Sequence, residues 1–283
     1  MNLNKKSKIF LAGHKGMVGS SILKLLKDKK YKRIITQDKK KLDLLDQKKT
    51  EKYLGNIKPD CVIIAAARVG GISANANFKA NFIYENLVIQ TNLIHSSFKA
   101  GVKKLIFLGS SCIYPRLAKQ PIKENYLLSG QLEKTNDAYS IAKIAGVKMC
   151  EAYNQQYNLN YICLMPTNLY GPNDNYHEKN SHVMASLIKK FCDAEKKDET
   201  YVTCWGSGNP MREFMHVNDL AQAVIFCLEN WFPDEKNAPK DDNGKPLSYL
   251  NVGTGKDISI KDLALLIAKE TQFKGEIIWD KTM

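Results

Sequence analysis

A doubly wound parallel α/β fold (α/β class), followed by a smaller α/β domain toward the C-terminus, is the architecture this sequence predicts. Three observations carry that expectation. Short apolar runs alternate with amphipathic stretches from the first residues onward, the rhythm that a parallel sheet with right-handed crossovers requires. A glycine-spaced turn closes the first apolar run and opens directly into the first amphipathic stretch. The chain has 283 residues, enough for one large or two small domains with a proper core.

The elements follow in order. Residues 8–12 (KIFLA) form a short apolar run stopped by Gly13, hence a buried strand, and 17–28 form the first helix. A strand at 33–36 and a helix at 47–55 come next, then DCVIIA at 60–65 as the third strand and a helix over 81–100. KLIFL at 104–108 ends at Gly109, a helix covers 138–157, and the fifth strand, 160–165, runs into Pro166. After Pro166 the rhythm loosens. The turn-rich runs GPNDNYHEKNSH and PDEKNAPKDDNGKP flank helix-like stretches at 183–195 and 217–230, and the second run is expected on the surface. Residues 1–165 therefore read as a Rossmann-type cofactor domain completed by elements within 215–252, and 166–283 mainly as a substrate-binding domain.

Composition narrows the function classes. The net charge is +13, from 42 basic and 29 acidic residues. The arginines are few and scattered, at 33, 68, 116 and 212, without the Arg-aromatic interleaving that reads bases, so no nucleic-acid partner is expected. Lysine-rich faces are solvated, with anionic small ligands as the main alternative use of the charge. No apolar run reaches the roughly 18 residues of a membrane span, and the start MNLNKKSKIFLAG has no cleavable signal, so a cytoplasmic protein outside the membrane is expected. The seven cysteines are too widely spaced for a CxxC metal site or a disulfide framework, which predicts free thiols and no metal.

Two motifs carry chemistry. Gly13-His14-Lys15-Gly16-Met17-Val18-Gly19 stands between the first strand and the first helix, the context in which a glycine loop holds a pyrophosphate. Gly13 permits the tight turn, Gly16 the close approach of the phosphates, and Gly19 the packing of helix on strand. The second strand ends not in the usual ribose-binding acid alone but in Gln37-Asp38-Lys39-Lys40-Lys41. Lys39 and its neighbours, with Lys15, suit a ribose 2′-phosphate, so NADP(H) is expected over NAD, while Asp38 would repel that phosphate.

The second motif is Tyr139-Ser140-Ile141-Ala142-Lys143, which places a phenol and an ammonium on one helix face. It follows the strand that ends Leu108-Gly109-Ser110-Ser111, so Ser110 and Tyr139 are expected to converge at the carboxyl edge of the sheet. An ammonium about 4 Å from the phenol is expected to draw its pKa of about 10 down by about one to three units. Ser110 would hydrogen-bond a substrate carbonyl oxygen, and Lys143 a nicotinamide ribose.

The GxxGxxG and YxxxK patterns together resemble the extended short-chain dehydrogenase/reductase family. The segments AGHKGMVGS, AARVGGI, NFIYENL, LGSSCIYP, PIKENYLLSGQLEKTNDAYSIAKIAG, PTNLYGPNDNYH, NSHVMASLIKKF, WGSGNPMREFMHVNDLA and LNVGTGKDISI are similar to the GDP-L-fucose synthase branch of that family over nearly the whole chain. The resemblance implies NADPH-dependent 3,5-epimerisation and 4-reduction of a GDP-4-keto-6-deoxy-D-mannose substrate. It implies Cys112 and His182 as the base and acid of epimerisation, the thiolate being favoured by protonated His182 or by Lys143. Pro166, Thr167, Asn168 and Leu169 correspond to the loop bordering the nicotinamide, with His182 beside it. Lys190, Trp205 and Arg212 correspond to residues on the GDP-sugar. Without the resemblance, Cys112 reads as a buried cysteine, His182 as a satisfied histidine and Trp205 as a core aromatic.

Lys15 stands where the family often has arginine, and Asn218 where it often has aspartate. The family's chains run on into a substrate-proximal loop and a closing helix beyond the position of Met283. A homodimer through 81–100 and 138–157 is also implied. The alternatives are a related enzyme acting on another nucleotide sugar, such as a GDP-deoxyheptose reductase or a UDP-hexose 4-epimerase, and a non-catalytic nucleotide-binding protein.

Overall fold

The central sheet is built from β1 (Lys8–Ala12), β2 (Arg33–Ile35), β3 (Cys61–Ile64), β4 (Lys104–Leu108), β5 (Asn160–Pro166) and β9 (Tyr249–Val252). The computed structural model describes residues 3–177, 181–232 and 238–282. The strand order is β2-β1-β3-β4-β5-β9, and each neighbouring pair is parallel. The chain crosses back over β1 between β2 and β3, which makes the switch point where open α/β sheets bind ligands.

Alternation along the strands sorts their side chains onto two faces. Ile9, Leu11, Ile63, Ile106 and Leu164 pack on one face with α1 (Met17–Asp28) and α7 (Val217–Asn230). Phe10, Val62, Ile64, Phe107 and Tyr161 pack on the other, against α2 (Gln47–Ile57), α4 (Lys79–Lys99) and α5 (Asp137–Tyr157). A short helix, α3 (Ile72–Asn77), precedes α4. Because both faces are covered, these strands read as continuous apolar runs, and each buried Ile, Leu or Phe contributes about 1.5–3 kcal/mol.

The remaining elements form the smaller part: β6 (Asn168–Tyr170), α6 (Val183–Lys196), β7 (Tyr201–Trp205), β8 (Met211–His216), β10 (Asp257–Ser259), α8 (Ile260–Glu270) and β11 (Glu276–Asp280). Strands pair as β10-β8-β6 and as β11-β7. Leu187, Phe191, Val202, Leu263 and Ile267 make its own apolar core. Its strands lie outside the sequence-based expectation for a physical reason. β7 alternates exposed and buried residues, so it offers only Val202 and Cys204 as inward apolar positions. Of the turn-rich run 233–246, residues 233–237 lie outside the described residues, as do 178–180 of the earlier run.

All seven cysteines are free, and no helix among the described residues is long and apolar enough to cross a membrane. Gly146 on α5 marks close packing against β4 and α4, because a Cβ there would lie 2.6 Å from Phe107 Cζ and 3.0 Å from Gln90 Cδ. Gly146→Val is expected to lower stability by about 1–3 kcal/mol, read as a fall in the urea midpoint at unchanged m.

Candidate active site

Since every strand of the central sheet runs the same way, the segments that follow β1, β4, β5 and β9 emerge at one edge. The glycine loop is the first. Gly13 has φ +87°, and a Cβ on it would lie 2.6 Å from the Ala66 amide nitrogen in the loop after β3. A Cβ on Gly19 would collide with the Gly13 carbonyl, so this glycine is needed for α1 to pack where it does. Gly16 differs, for its Cβ would meet only the Gly13 carbonyl oxygen at 3.6 Å. Gly16 is also the N-cap of α1, with no capping side chain and no acid in the first turn. The N–H groups of that end are therefore left to an anion. Met17 and Val18 begin the helix. Lys15 Nζ lies 2.9 Å and His14 Nε2 3.4 Å from Asp38 Oδ1.

The second segment follows β4. Gly109 N–H still donates to the Leu164 carbonyl at 2.9 Å, and the chain then turns into a short 3-10 helix, Ser111–Ile113. Ser110 Oγ caps this turn by accepting from the Cys112 amide at 3.4 Å, and the Ser140 hydroxyl donates to the Cys112 carbonyl at 2.9 Å. From α5, the buried Lys143 Nζ donates to the Leu108 carbonyl at 2.8 Å and lies 5.7 Å from the centre of the Tyr139 ring. Phe82 meets the Tyr139 ring edge-on at 6.3 Å. Ser110, Cys112, Tyr139 and Lys143 are thus brought together.

The loop after β5 supplies the third segment. Pro166 ends β5 against Val252, Thr167 N–H donates to the Val252 carbonyl at 3.2 Å, and Asn168 Nδ2 donates to the Glu213 carbonyl at 3.0 Å. Thr167 Oγ1 is buried with no hydrogen-bond partner. Leu169 pairs with Met215. Farther along, His182 occupies the N-cap position of α6 with no capping side-chain hydrogen bond, under the attraction of Asp174. Asn173, next to Asp174, donates through Nδ2 to Ser20 Oγ at 3.1 Å, tying this loop to α1. Lys190 Nζ donates to the Thr203 carbonyl at 2.9 Å and sits 4.9 Å over the Trp205 ring. Arg212 is exposed on β8, its Nη1 donating to the Met211 carbonyl at 2.7 Å.

The description NAD dependent epimerase/dehydratase family matches residues 9–240. The chain belongs to that family. GDP-L-fucose synthase of Escherichia coli is 47% identical over 280 residues, covering 97% of this chain and 84% of that protein. GDP-L-fucose synthase of Sinorhizobium fredii is 46% identical over 280 residues, covering 99% of this chain and 85% of that protein. Among solved structures, the GDP-mannoheptose C4 reductase of Campylobacter jejuni with NADP bound is 37% identical with a TM-score of 0.89, covering 99% of this chain and 88% of that one.

A dinucleotide fits the epimerase/dehydratase edge on this chain's own features: the unobstructed Gly16, the uncapped end of α1 and the orphaned hydroxyl of Thr167. No group of three or more His, Cys, Asp or Glu placed to hold a metal exists among the described residues.

Burial reverses two electrostatic expectations. The Tyr139 phenol is pushed well above its usual range, chiefly by loss of water and then by the Cys112 thiol, although part of the residue remains accessible. No lowering by Lys143 offsets this, and Lys143, whose ammonium donates to the Leu108 carbonyl, is itself drawn down to about 8 by burial. The Cys112 thiol is likewise raised by burial, against the hydrogen bonds of Ser110 and Ser140 and the charge of Lys143. Those groups, not His182, act on the thiol. His182 is exposed yet crowded by protein, and the loss of water holds its pKa below the usual histidine value against the pull of Asp174.

Trp205 is 48% exposed rather than a core aromatic. The residues that sequence reasoning passed over act through contacts made far along the chain. Gln90, on α4, donates from Nε2 to the Ala142 carbonyl and so fixes α5 beside the site. Glu213 Oε1 accepts from the amides of Thr254 and Gly255, joining β8 to the turn after β9. Asn218 accepts from the Ser21 hydroxyl at 2.8 Å, so it joins α7 to α1 in place of an aspartate.

With Lys143 depressed to about 8, the unfolded chain holds a proton that the folded chain lacks between about pH 8 and the usual lysine range. Stability of the wild type relative to Lys143→Met is therefore expected to rise with pH across that window and stay flat below it. Urea midpoints of both proteins at pH 7 to 10 check the sign.

Proposed function

We propose that this chain is an NADPH-dependent 3,5-epimerase and 4-reductase that converts GDP-4-keto-6-deoxy-D-mannose to GDP-L-fucose. The observation that carries the reading is Cys112 within electrostatic reach of both Tyr139 and Lys143. A plain carbonyl reductase needs the serine, tyrosine and lysine; a titratable thiol in the same place adds the acid-base group that epimerisation demands. The similarity to two GDP-L-fucose synthases supports the same substrate.

A ketone at C4 acidifies the protons at C3 and C5. Cys112, as thiolate, takes a proton from the carbon beside the carbonyl; Lys143 and the Ser110 and Ser140 hydroxyls oppose the burial that disfavours this form. His182 returns a proton. Ser110 hydrogen-bonds the C4 oxygen, and Tyr139, kept protonated by burial, gives that oxygen its proton. NADPH, when bound, supplies the hydride.

Gly13, His14, Lys15, Gly16, Met17, Val18 and Gly19, with Lys39, hold the adenosine and pyrophosphate end of the cofactor. Leu108, Gly109, Ser110, Ser111 and Lys143 border its nicotinamide half, with Pro166, Thr167, Asn168, Leu169 and His182. Lys190, Trp205 and Arg212 hold the GDP-sugar, the cation and indole meeting charge and ring. The division of labour falls near residue 165, with α7 and β9 completing the cofactor part. A cytoplasmic setting suits seven free thiols, and the chain belongs with the cytosol on fractionation.

A homodimer through α4 and α5 is supported by the exposed Tyr84 and Ile141 on these two helices. Light scattering is expected to give twice the chain mass, and a monomer at micromolar concentration removes the dimer.

The second reading is a 4-reductase for a GDP-heptose, supported by the likeness to the Campylobacter enzyme. The deciding experiment follows NADPH oxidation with GDP-4-keto-6-deoxy-D-mannose and identifies the product by mass and NMR. GDP-L-fucose is expected; turnover only with a GDP-heptose establishes the second reading. Tyr139→Phe is expected to slow reduction by about 10²–10⁴-fold with NADPH binding retained. Cys112→Ser is expected to slow hydrogen exchange at C3 and C5 more than reduction, and equal losses would reduce Cys112 to packing.

A further inference from the structure

Asp38 stands three residues beyond β2, in the turn that carries Lys39, Lys40 and Lys41. The amides of Lys41 and Leu42 both donate to its carbonyl at 2.9 Å, which fixes the turn. β2 pairs with β1, so this turn lies beside the glycine loop. The Asp38 carboxylate reaches across to Lys15 Nζ at 2.9 Å and His14 Nε2 at 3.4 Å. Both side chains belong to the loop that meets the cofactor in the reading above.

An acid about 20 residues past a glycine loop is placed to accept the ribose hydroxyls of a dinucleotide lacking the 2′-phosphate. Here the same acid is also the counter-ion of the groups that a 2′-phosphate needs. We infer that Asp38 sets cofactor specificity: it accepts the ribose hydroxyls of NADH and competes with the 2′-phosphate of NADPH for Lys15 and His14, so that this chain uses both cofactors. The inference rests on the proposed dinucleotide site. The hydrogen bond and the charge of Lys15, with a smaller pull from Lys41, hold the Asp38 carboxyl below its usual range, so it is ionised at neutral pH. Lys39, Lys40 and Lys41 leave the surroundings cationic overall, which keeps the phosphate admissible while Asp38 limits its advantage.

The test is a fluorescence titration of the full chain with NADPH and with NADH, in the absence of sugar. The wild type is expected to bind the two with affinities within about tenfold of each other. Asp38→Asn is expected to raise the NADPH-to-NADH affinity ratio about tenfold at low salt, and less as salt is added. Lys15→Gln is expected to lower that ratio. The Asp38 side chain is 44% exposed, so its replacement does not threaten the fold. A ratio in Asp38→Asn within about twofold of the wild-type value, with both cofactors bound, overturns the role of Asp38 alone. A wild type that binds neither dinucleotide overturns the site reading and this inference together.

Discussion

Parallel pairing of β1, β3, β4 and β5 is the constraint on which the molecule depends. It orders four nearly water-free strands, and it sends every chain segment that leaves their carboxyl ends to the same edge. The glycine loop, the Ser110 turn and the Thr167 loop are far apart in sequence, yet no special folding of any one of them is needed to bring them together. The helices then set depth. α5 is held at neighbouring residues, by Gln90 from α4 at the Ala142 carbonyl and by Lys143 at the Leu108 carbonyl, one turn beyond Tyr139.

Within that edge, burial dominates charge. Lys143, Tyr139 and Cys112 each lose water, and each moves toward its neutral form. A lysine that is easily neutralised, a phenol that keeps its proton and a thiol that needs help to lose one form a site whose proton inventory depends on what enters it. An incoming polar substrate changes the surroundings of all three at once.

Much of this was legible in the sequence. The runs at 8–12 and 104–108 coincide with β1 and β4, since strands buried on both faces are unbroken apolar segments. The glycine loop and the Tyr139–Lys143 spacing were legible because their geometry is local. β6, β8 and β10 were not, being short and half exposed, with partners that only the folded chain supplies. The direction of the Tyr139 shift was misjudged for a related reason: spacing gives the distance to a lysine, whereas desolvation depends on Phe82 and the other groups that arrive from elsewhere. Asp174, Glu213 and Gln90 carry no motif of their own, and only tertiary contact reveals what they do.

The last strand of the main sheet has a consequence for how the molecule is made. β9 pairs with β5 in the register Cys163 to Tyr249, with the β6–α7 segment lying between them in the chain. During synthesis, β5 can form against β4 long before β9 exists, and it then presents an open edge of Cys163, Leu164 and Met165. Closing so long a loop is slow compared with the local pairings. The nascent chain therefore carries an adhesive strand until residue 252 has been made, and β9 acts as its stopper.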